Sequence, residues 1–294
     1  MDDAARKEAL ASAEAAARAA GEIIVAALKS QENSQLQVKS GVDLVTETDK
    51  AAERAIIDRL MDSHPTHKFM GEESTFADGG RGDAFGTSPT WCIDPLDGTT
   101  NFVHGYPMFC VSIALVVDGD PIIGVVYHPV SRDLYTACRG QGAFLNGVRI
   151  EVRQAEGLGD ALVVNNIGAS RDEAFIATTL ARLGELLRRN VQAIRMSGSA
   201  ALNMCHVACG KLDCYFEQGY GGPWDVAAGT VIVREARGVV RGLDNDNFVL
   251  KPGKGEVVCG SERVVREVCE ALAAADRNGR PSTVEVSSSI PSSS

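Results

Sequence analysis

The sequence predicts an α+β fold of mixed α/β character. Three observations carry that expectation: apolar residues at helical spacing before Pro65, β-branched runs cut by turn signals from Val111 to Ile150, and alternating strands and helices after Ala161. At 294 residues and 45% hydrophobic composition, the chain is long enough to bury a substantial core. No internal repeat is visible. No Pro/Gly/Ser-rich linker interrupts the chain, so residues 1–276 are expected to form a single unit, with Glu156–Asp160 a turn between its halves.

Leu10, Ala17, Ile24 and Leu28 share one face of an N-terminal amphipathic helix, and Arg6, Lys7, Glu8, Glu14 and Arg18 break up any signal-like apolar core. Ala52, Ile56 and Leu60 repeat at helical spacing before Pro65; Lys68–Met70 then reads as a short strand leading into Gly71-Glu72. Trp91, Cys92 and Ile93 read as the end of a buried strand. Pro95 has no amide donor, so it is expected to stop ladder pairing after Asp94 and turn the chain outward. Asp118-Gly119-Asp120-Pro121, His128-Pro129 and Asn146-Gly147 divide the next stretch into an antiparallel meander, with Asn-Gly the clearest hairpin signal.

Beyond Ala161 the pattern gives strands at Leu162–Val164, near Val191–Arg195 and at Leu212–Phe216, separated by helices at Asp172–Arg189 and Ala200–Cys209. A helix at Asp225–Arg237, strands near Val239 and Val257, and a helix at Glu262–Ala275 complete the series. After Asp276 the chain turns Ser-rich, and 277–294 are expected to be a disordered tail because too few apolar residues remain to order it.

The net charge of −10, with no offsetting Lys/Arg cluster, argues against a nucleic-acid surface. No apolar run is long enough to cross a bilayer, and the eight cysteines sit within apolar runs like buried thiols of a reducing compartment. A cytoplasmic protein without membrane or nucleic-acid partners is expected. Cys205, Cys209 and Cys214 lack paired C-x-x-C spacing, so core packing is favoured over zinc.

The chemistry is concentrated in Trp91-Cys92-Ile93-Asp94-Pro95-Leu96-Asp97-Gly98-Thr99-Thr100-Asn101-Phe102. Two carboxylates this close repel each other unless a cation lies between them, and an oxygen-rich set suits Mg²⁺ with a phosphate. Gly98 permits close backbone approach, while Thr99 and Thr100 offer hydroxyls and amides at a helix start. An isolated D-x-x-D is equally a polar turn with capping side chains.

Together with Gly71-Glu72-Glu73-Ser74 upstream and Trp224-Asp225 downstream, this run resembles the inositol monophosphatase family of Mg²⁺-dependent, lithium-sensitive phosphatases. The resemblance extends from about Ala4 to about Ala275. Arg195-Met196-Ser197-Gly198-Ser199-Ala200-Ala201-Leu202 and Gly221-Gly222-Pro223-Trp224-Asp225 look most like its plant-type branch, whose members act on inositol monophosphates and L-galactose 1-phosphate. The resemblance implies a layered αβαβα sandwich, one catalytic domain over 1–276, a homodimer and a small phosphomonoester substrate.

It also implies site residues. Glu72, Asp94, Asp97 and Asp225, with the Leu96 carbonyl, would hold two or three Mg²⁺ ions. Glu72 and Thr99, supported by Asp49, would direct a metal-activated water in line at phosphorus. Gly98 and Thr99 amides would hold phosphate oxygens, and Asp97, Ser199, Ala200, Glu217 and Asp225 would contact the alcohol. Read without the resemblance, Asp225 could cap a helix beginning at Val226, Asp49 could cap Ala51–Leu60, and Glu72-Glu73 could be an exposed acidic turn. The loop from Gln218 to Trp224 is one residue longer than the animal pattern, which leaves the preferred sugar open. A noncatalytic regulator with the same fold is the alternative of a different class, but it predicts loss of at least one acidic ligand, and none is lost.

Overall fold

A computed structural model describes residues 1–30, 37–40, 43–45, 47–77, 85–168 and 170–278. Helix α1 (Asp3–Ser30) is followed by a small antiparallel ribbon, β1 (Gln37–Ser40) and β2 (Asp43–Val45), and by α2 (Glu47–Ser63). Next come β3 (Lys68–Gly71), α3 (Glu72–Ala77), β4 (Thr90–Asp97) and the short α4 (Thr99–Val103). The meander is β5 (Cys110–Val117), β6 (Asp120–His128), β7 (Asp133–Cys138), β8 (Gly142–Leu145) and β9 (Val148–Ile150). Strands β3 to β9 form a seven-stranded sheet in sequence order; β3 and β4 are parallel and every later neighbour is antiparallel. At the β8–β9 hairpin, Asn146 and Gly147 have φ of 50° and 79°, the left-handed pair that a type I′ turn demands.

The second half contains β10 (Leu162–Asn166), α5 (Glu173–Arg188), β11 (Ala193–Arg195), α6 (Ala200–Ala208), β12 (Cys214–Tyr220), α7 (Pro223–Glu235), β13 (Val239–Arg241), β14 (Gly255–Gly260) and α8 (Glu262–Asn278). Its five strands lie in the order β11-β10-β12-β14-β13, with β10 parallel to both neighbours and β14 antiparallel to both of its own.

Alternation along the strands builds the layers. Trp91, Ile93, Ile113 and Val125 pack against α1 and α2, using Ala13, Ala17, Ile24, Ile56 and Leu60. Cys92, Ala114 and Val126, on the opposite face, join α6 and α7 and reach Val164, Tyr215 and Val257 of the second sheet. Val163, Phe216 and Val258 face the other way, onto Leu186 of α5 and Val264, Val268 and Leu272 of α8. A period of two on each sheet thus yields helix, sheet, helix, sheet and helix layers, the αβαβα order implied by the resemblance.

Several boundaries differ from the sequence expectations. β4 continues through Pro95 to Asp97, and the missing donor is absorbed by a one-residue bulge opposite β5, where Asp94 pairs Ser112 and Asp97 pairs Cys110. Helix α7 starts at Pro223, so Asp225 lies in its first turn instead of capping it; α2 starts at Glu47, which puts Asp49 inside that helix. Strand β12 extends to Tyr220 and carries Glu217 within it. Helix α8 runs to Asn278, two residues into the expected tail, and the rest of 277–294 lies outside the described residues.

All eight cysteines are free thiols, and no helix among the described residues is long and apolar enough to cross a membrane. Strand β6 of the seven-stranded sheet approaches α7 closely: a Cβ on Gly124 would lie 2.4 Å from the Ala228 carbonyl oxygen. Gly124→Ala is expected to lower stability by about 1–3 kcal/mol through overpacking. A denaturant titration with an unchanged midpoint would contradict that contact.

Candidate active site

Regular β geometry would point Asp94 and Asp97 to opposite faces, because residues three apart differ in parity. The bulge at Pro95 restores a common side, and both carboxylates are buried, at 2% and 7% exposure. The Leu96 amide donates to Asp94 Oδ1 at 3.0 Å, and the Leu96 carbonyl accepts from the Thr99 hydroxyl at 3.0 Å. Thr99 also lies 3.3 Å from Asp49 Oδ1, a buried carboxylate of α2. Between them Gly98 opens α4 with φ 97°, and a Cβ there would stand 2.8 Å from the Met108 carbonyl oxygen; glycine is required on both counts.

Glu72 begins α3 directly after β3. Because β3 runs parallel to β4, with Gly71 beside Ile93, Glu72 emerges at the same sheet edge as Asp94. Asp225 comes from the second half. Its Oδ2 accepts from the Gly221 amide at 2.6 Å and the Gly222 amide at 3.4 Å, tying the Gly-rich loop to α7.

Ser199 and Ala200 meet Asp97 itself. The Ser199 hydroxyl donates to Asp97 Oδ2 at 2.6 Å, and the amides of Ala200 and Ala201 donate at 3.3 and 2.7 Å. Ser199 also caps α6 by accepting from the Leu202 amide, so Asp97 docks onto a helix N-terminus, where its charge is favoured. Glu217 is buried on β12, and both Tyr215 Oη and Asn166 Nδ2 donate to its Oε2, the latter at 3.0 Å.

Asn166 was not singled out by the sequence expectations, nor were Tyr215, Asn101 and Asn203. Asn166 Oδ1 accepts from the Gly198 amide at 3.0 Å and from Asn203 Nδ2 at 3.1 Å, while Asn101 Nδ2 donates to the Ser197 carbonyl at 2.7 Å and the Met108 carbonyl at 2.6 Å. These amides hold the Ser197-Gly198 turn between the two halves. The one legible signal was the polar pair Asn165-Asn166 at the end of an apolar strand.

The electrostatics are those of crowded acids. Burial, then the charges of Glu72, Asp97 and Asp225, push the Asp94 carboxyl well above its usual range. Burial, then Asp97, Glu72 and Glu217, does the same to Asp225. Asp97 is pushed up to about 6 by burial, against its hydrogen bonds from Ser199, Ala201 and Ala200. Burial also raises Glu217 to about 7, against its bonds from Tyr215 and Asn166. No basic side chain is among the causes of these shifts. Among the described residues, no three His, Cys, Asp or Glu side chains already form a closed shell for one ion. Asp97 accepts from internal donors through both oxygens and Asp225 through Oδ2.

The family model "Inositol monophosphatase family" matches residues 5–278. Inositol monophosphatase 2 of Solanum lycopersicum is 48% identical over 235 residues, covering 80% of this chain and 87% of its own. The inositol monophosphatase of Mesembryanthemum crystallinum is 49% identical over 231 residues, covering 79% and 84%. Among solved structures, the inositol monophosphatase of Anabaena (Nostoc) sp. PCC 7120 superposes with a TM-score of 0.76 at 33% identity, covering 90% of this chain and 95% of that one. Sequence and fold therefore agree along nearly the whole chain, which belongs to the inositol monophosphatase family.

Proposed function

We propose that this protein is a Mg²⁺-dependent phosphomonoesterase that hydrolyses myo-inositol monophosphate to inositol and phosphate, with residues 1–276 as its single catalytic unit. The observation that carries the reading is the group of buried carboxylates, Asp94, Asp97 and Asp225 with Glu72 beside them: burial raises the first three, the neighbouring acids raise Asp94 and Asp225 further, and no basic side chain is among the causes. That donor set fits a hard divalent cation: all-oxygen, acidic and drawn from three separate strand or helix ends. Glu72, Asp94, Asp97, Asp225 and the Leu96 carbonyl are the groups that would hold it. When bound, Mg²⁺ supplies positive charge that screens the phosphate and acidifies an attacking water.

The chain's own groups do the rest. The single Thr99 proton can go to Leu96 O or to Asp49; donated to Asp49, it frees the hydroxyl oxygen to accept a proton from water. Glu72 stands at the same edge to share that role. The start of α4 at Gly98 and Thr99 presents first-turn amides, which have no intrahelical acceptor, to the phosphate oxygens. Both donors to Glu217 sit on Oε2, leaving Oε1 to accept from substrate hydroxyls. L-Galactose 1-phosphate is the second substrate of this reading, because the Gly219–Gly222 segment beside Asp225 shapes the alcohol pocket. Lithium sensitivity, a homodimer and a cytoplasmic setting belong to the same reading.

Phosphate release from inositol monophosphate is expected to require Mg²⁺, to fall with lithium, and to be nearly abolished by Asp94→Asn in a folded protein. Metal-independent release, or none from a panel of inositol and sugar monophosphates, refutes the assignment. Tyr215→Phe should raise KM for inositol monophosphate about tenfold, the worth of one hydrogen bond to a charged group. Hydrolysis of p-nitrophenyl phosphate, which has no alcohol hydroxyls, should be unchanged; equal losses on both substrates would contradict the role of Glu217.

A pH dependence follows with its sign. Asp97 at about 6 and Glu217 at about 7 lie above their ordinary values of 3.8 and 4.5, so without metal the folded chain binds more protons than the unfolded one. Stability should therefore fall as pH rises from about 4 to 7. Thermal midpoints in chelator should be higher near pH 5 than near pH 8, and Mg²⁺ should restore more at the higher pH. A flat profile would count against the crowded-acid site.

A further inference from the structure

Glu53 lies outside the residues given roles above, yet it is a carboxylate only 5% exposed. It sits one turn after Asp49 on α2, so the two acids project from one face of that helix. Asp49 meets Thr99 after β4. Glu53 meets the corresponding turn after β3: its Oε2 accepts from the Glu73 amide at 2.9 Å and its Oε1 from the Ser74 amide at 2.9 Å. These are the second and third residues of α3, whose first residue is Glu72. Helices normally satisfy one of those two amides with the side chain of the N-cap residue, typically Ser, Thr, Asp or Asn. Here the preceding residue is Gly71, which has no side chain to offer.

The missing cap and the buried acid occupy the same space. A Cβ on Gly71 would lie 2.3 Å from Glu53 Oε2 and 2.5 Å from its carboxyl carbon. Gly71 is not among the residues with positive φ, so its backbone does not demand glycine. The glycine is there to admit Glu53.

We propose that Glu53 is a positioning residue for Glu72: it caps α3 across space, in place of the side chain that Gly71 lacks, and so fixes the direction in which Glu72 leaves the helix start toward Asp94 and Asp225. The inference rests on the metal-site reading above. α3 spans only Glu72–Ala77, and the Ser74 hydroxyl adds a bond in its first turn, donating to the Gly71 carbonyl at 3.3 Å. Both amides need an acceptor oxygen. Glu53→Gln keeps the shape but turns an NH₂ group toward one amide, and Glu53→Ala removes both acceptors.

Mg²⁺ binding to the full chain, measured by calorimetry without substrate, tests this. Loss of a group that orients a ligand typically weakens metal affinity about 10- to 100-fold; Glu53→Gln is expected near the lower figure and Glu53→Ala near the upper. Glu53→Ala/Gly71→Ser should recover affinity to within about threefold of the parent, because serine can then cap α3 locally in the vacated space. Should Glu53→Ala not fold, Glu53→Gln and the double variant decide. Parent-like affinity in a cooperatively folded Glu53→Gln protein, even with a lowered thermal midpoint, overturns the proposal, since a merely structural cap would behave that way. If the parent binds no Mg²⁺, or Asp94→Asn binds it equally well, the metal-site reading itself fails and takes the proposal with it.

Discussion

Repulsion among buried carboxylates is the constraint on which the rest of the structure depends. Burial raises the proton affinity of Asp94, Asp97 and Asp225, and the charges of Glu72 and Asp97 raise Asp94 and Asp225 further. A fold can tolerate this only if the surrounding elements hold the acids by other means, and here three of them are anchored by backbone amides. Leu96 serves Asp94, the start of α6 serves Asp97, and the Gly221-Gly222 turn serves Asp225. Such donors stabilise negative charge without adding a competing side-chain cation.

The layer architecture supplies those anchors. Parallel pairing of β3 with β4 sets two acid-bearing turns side by side, and α2 lies across them with Asp49 and Glu53 one turn apart. The second half contributes Asp225 and Glu217 from α7 and β12, while the Asn166–Asn203–Ser197 cluster and Asn101 tie the halves at the rim. In the proposed reading, reaction and recognition are thus divided. The first sheet's edge holds most of the acids suited to cations and phosphate, and the second sheet carries the carboxylate suited to an alcohol.

Legibility followed the range of the interactions. The meander was readable because Asn146-Gly147 and the β-branched runs obey local rules, whereas patterning reached only a mixed α/β class and the layer order came from the family resemblance. The expectation at Pro95 failed because a proline forbids a ladder bond but not a bulge, and only the pairing of Asp94 with Ser112 and Asp97 with Cys110 shows that the strand continues. The alternative of Asp225 as the N-cap of a helix beginning at Val226 gives way for a related reason: Pro223 is a favoured first helical residue and sets the helix start upstream, so Asp225 meets the Gly222 amide from within the first turn. Asn166 was legible only as half of a polar pair closing an apolar strand, and Glu53 carried no local signal, since their partners are 51 and 20 residues away and depend on strand pairing and helix placement; Tyr215 bonds Glu217 only because both project from the same face of β12.

By itself the sequence determined the fold class, the family and, through the resemblance, the acids proposed for the site, because periodicity, turn chemistry and short motifs are properties of neighbouring residues. Tertiary structure decided which side of β4 Asp94 and Asp97 share, that Ser199 and Ala200 bind Asp97, how Glu217 is oriented, and why residue 71 is glycine. Each of those depends on the distance between atoms remote in the chain, and a hydrogen bond or a 2.3 Å collision exists only once packing has set that distance.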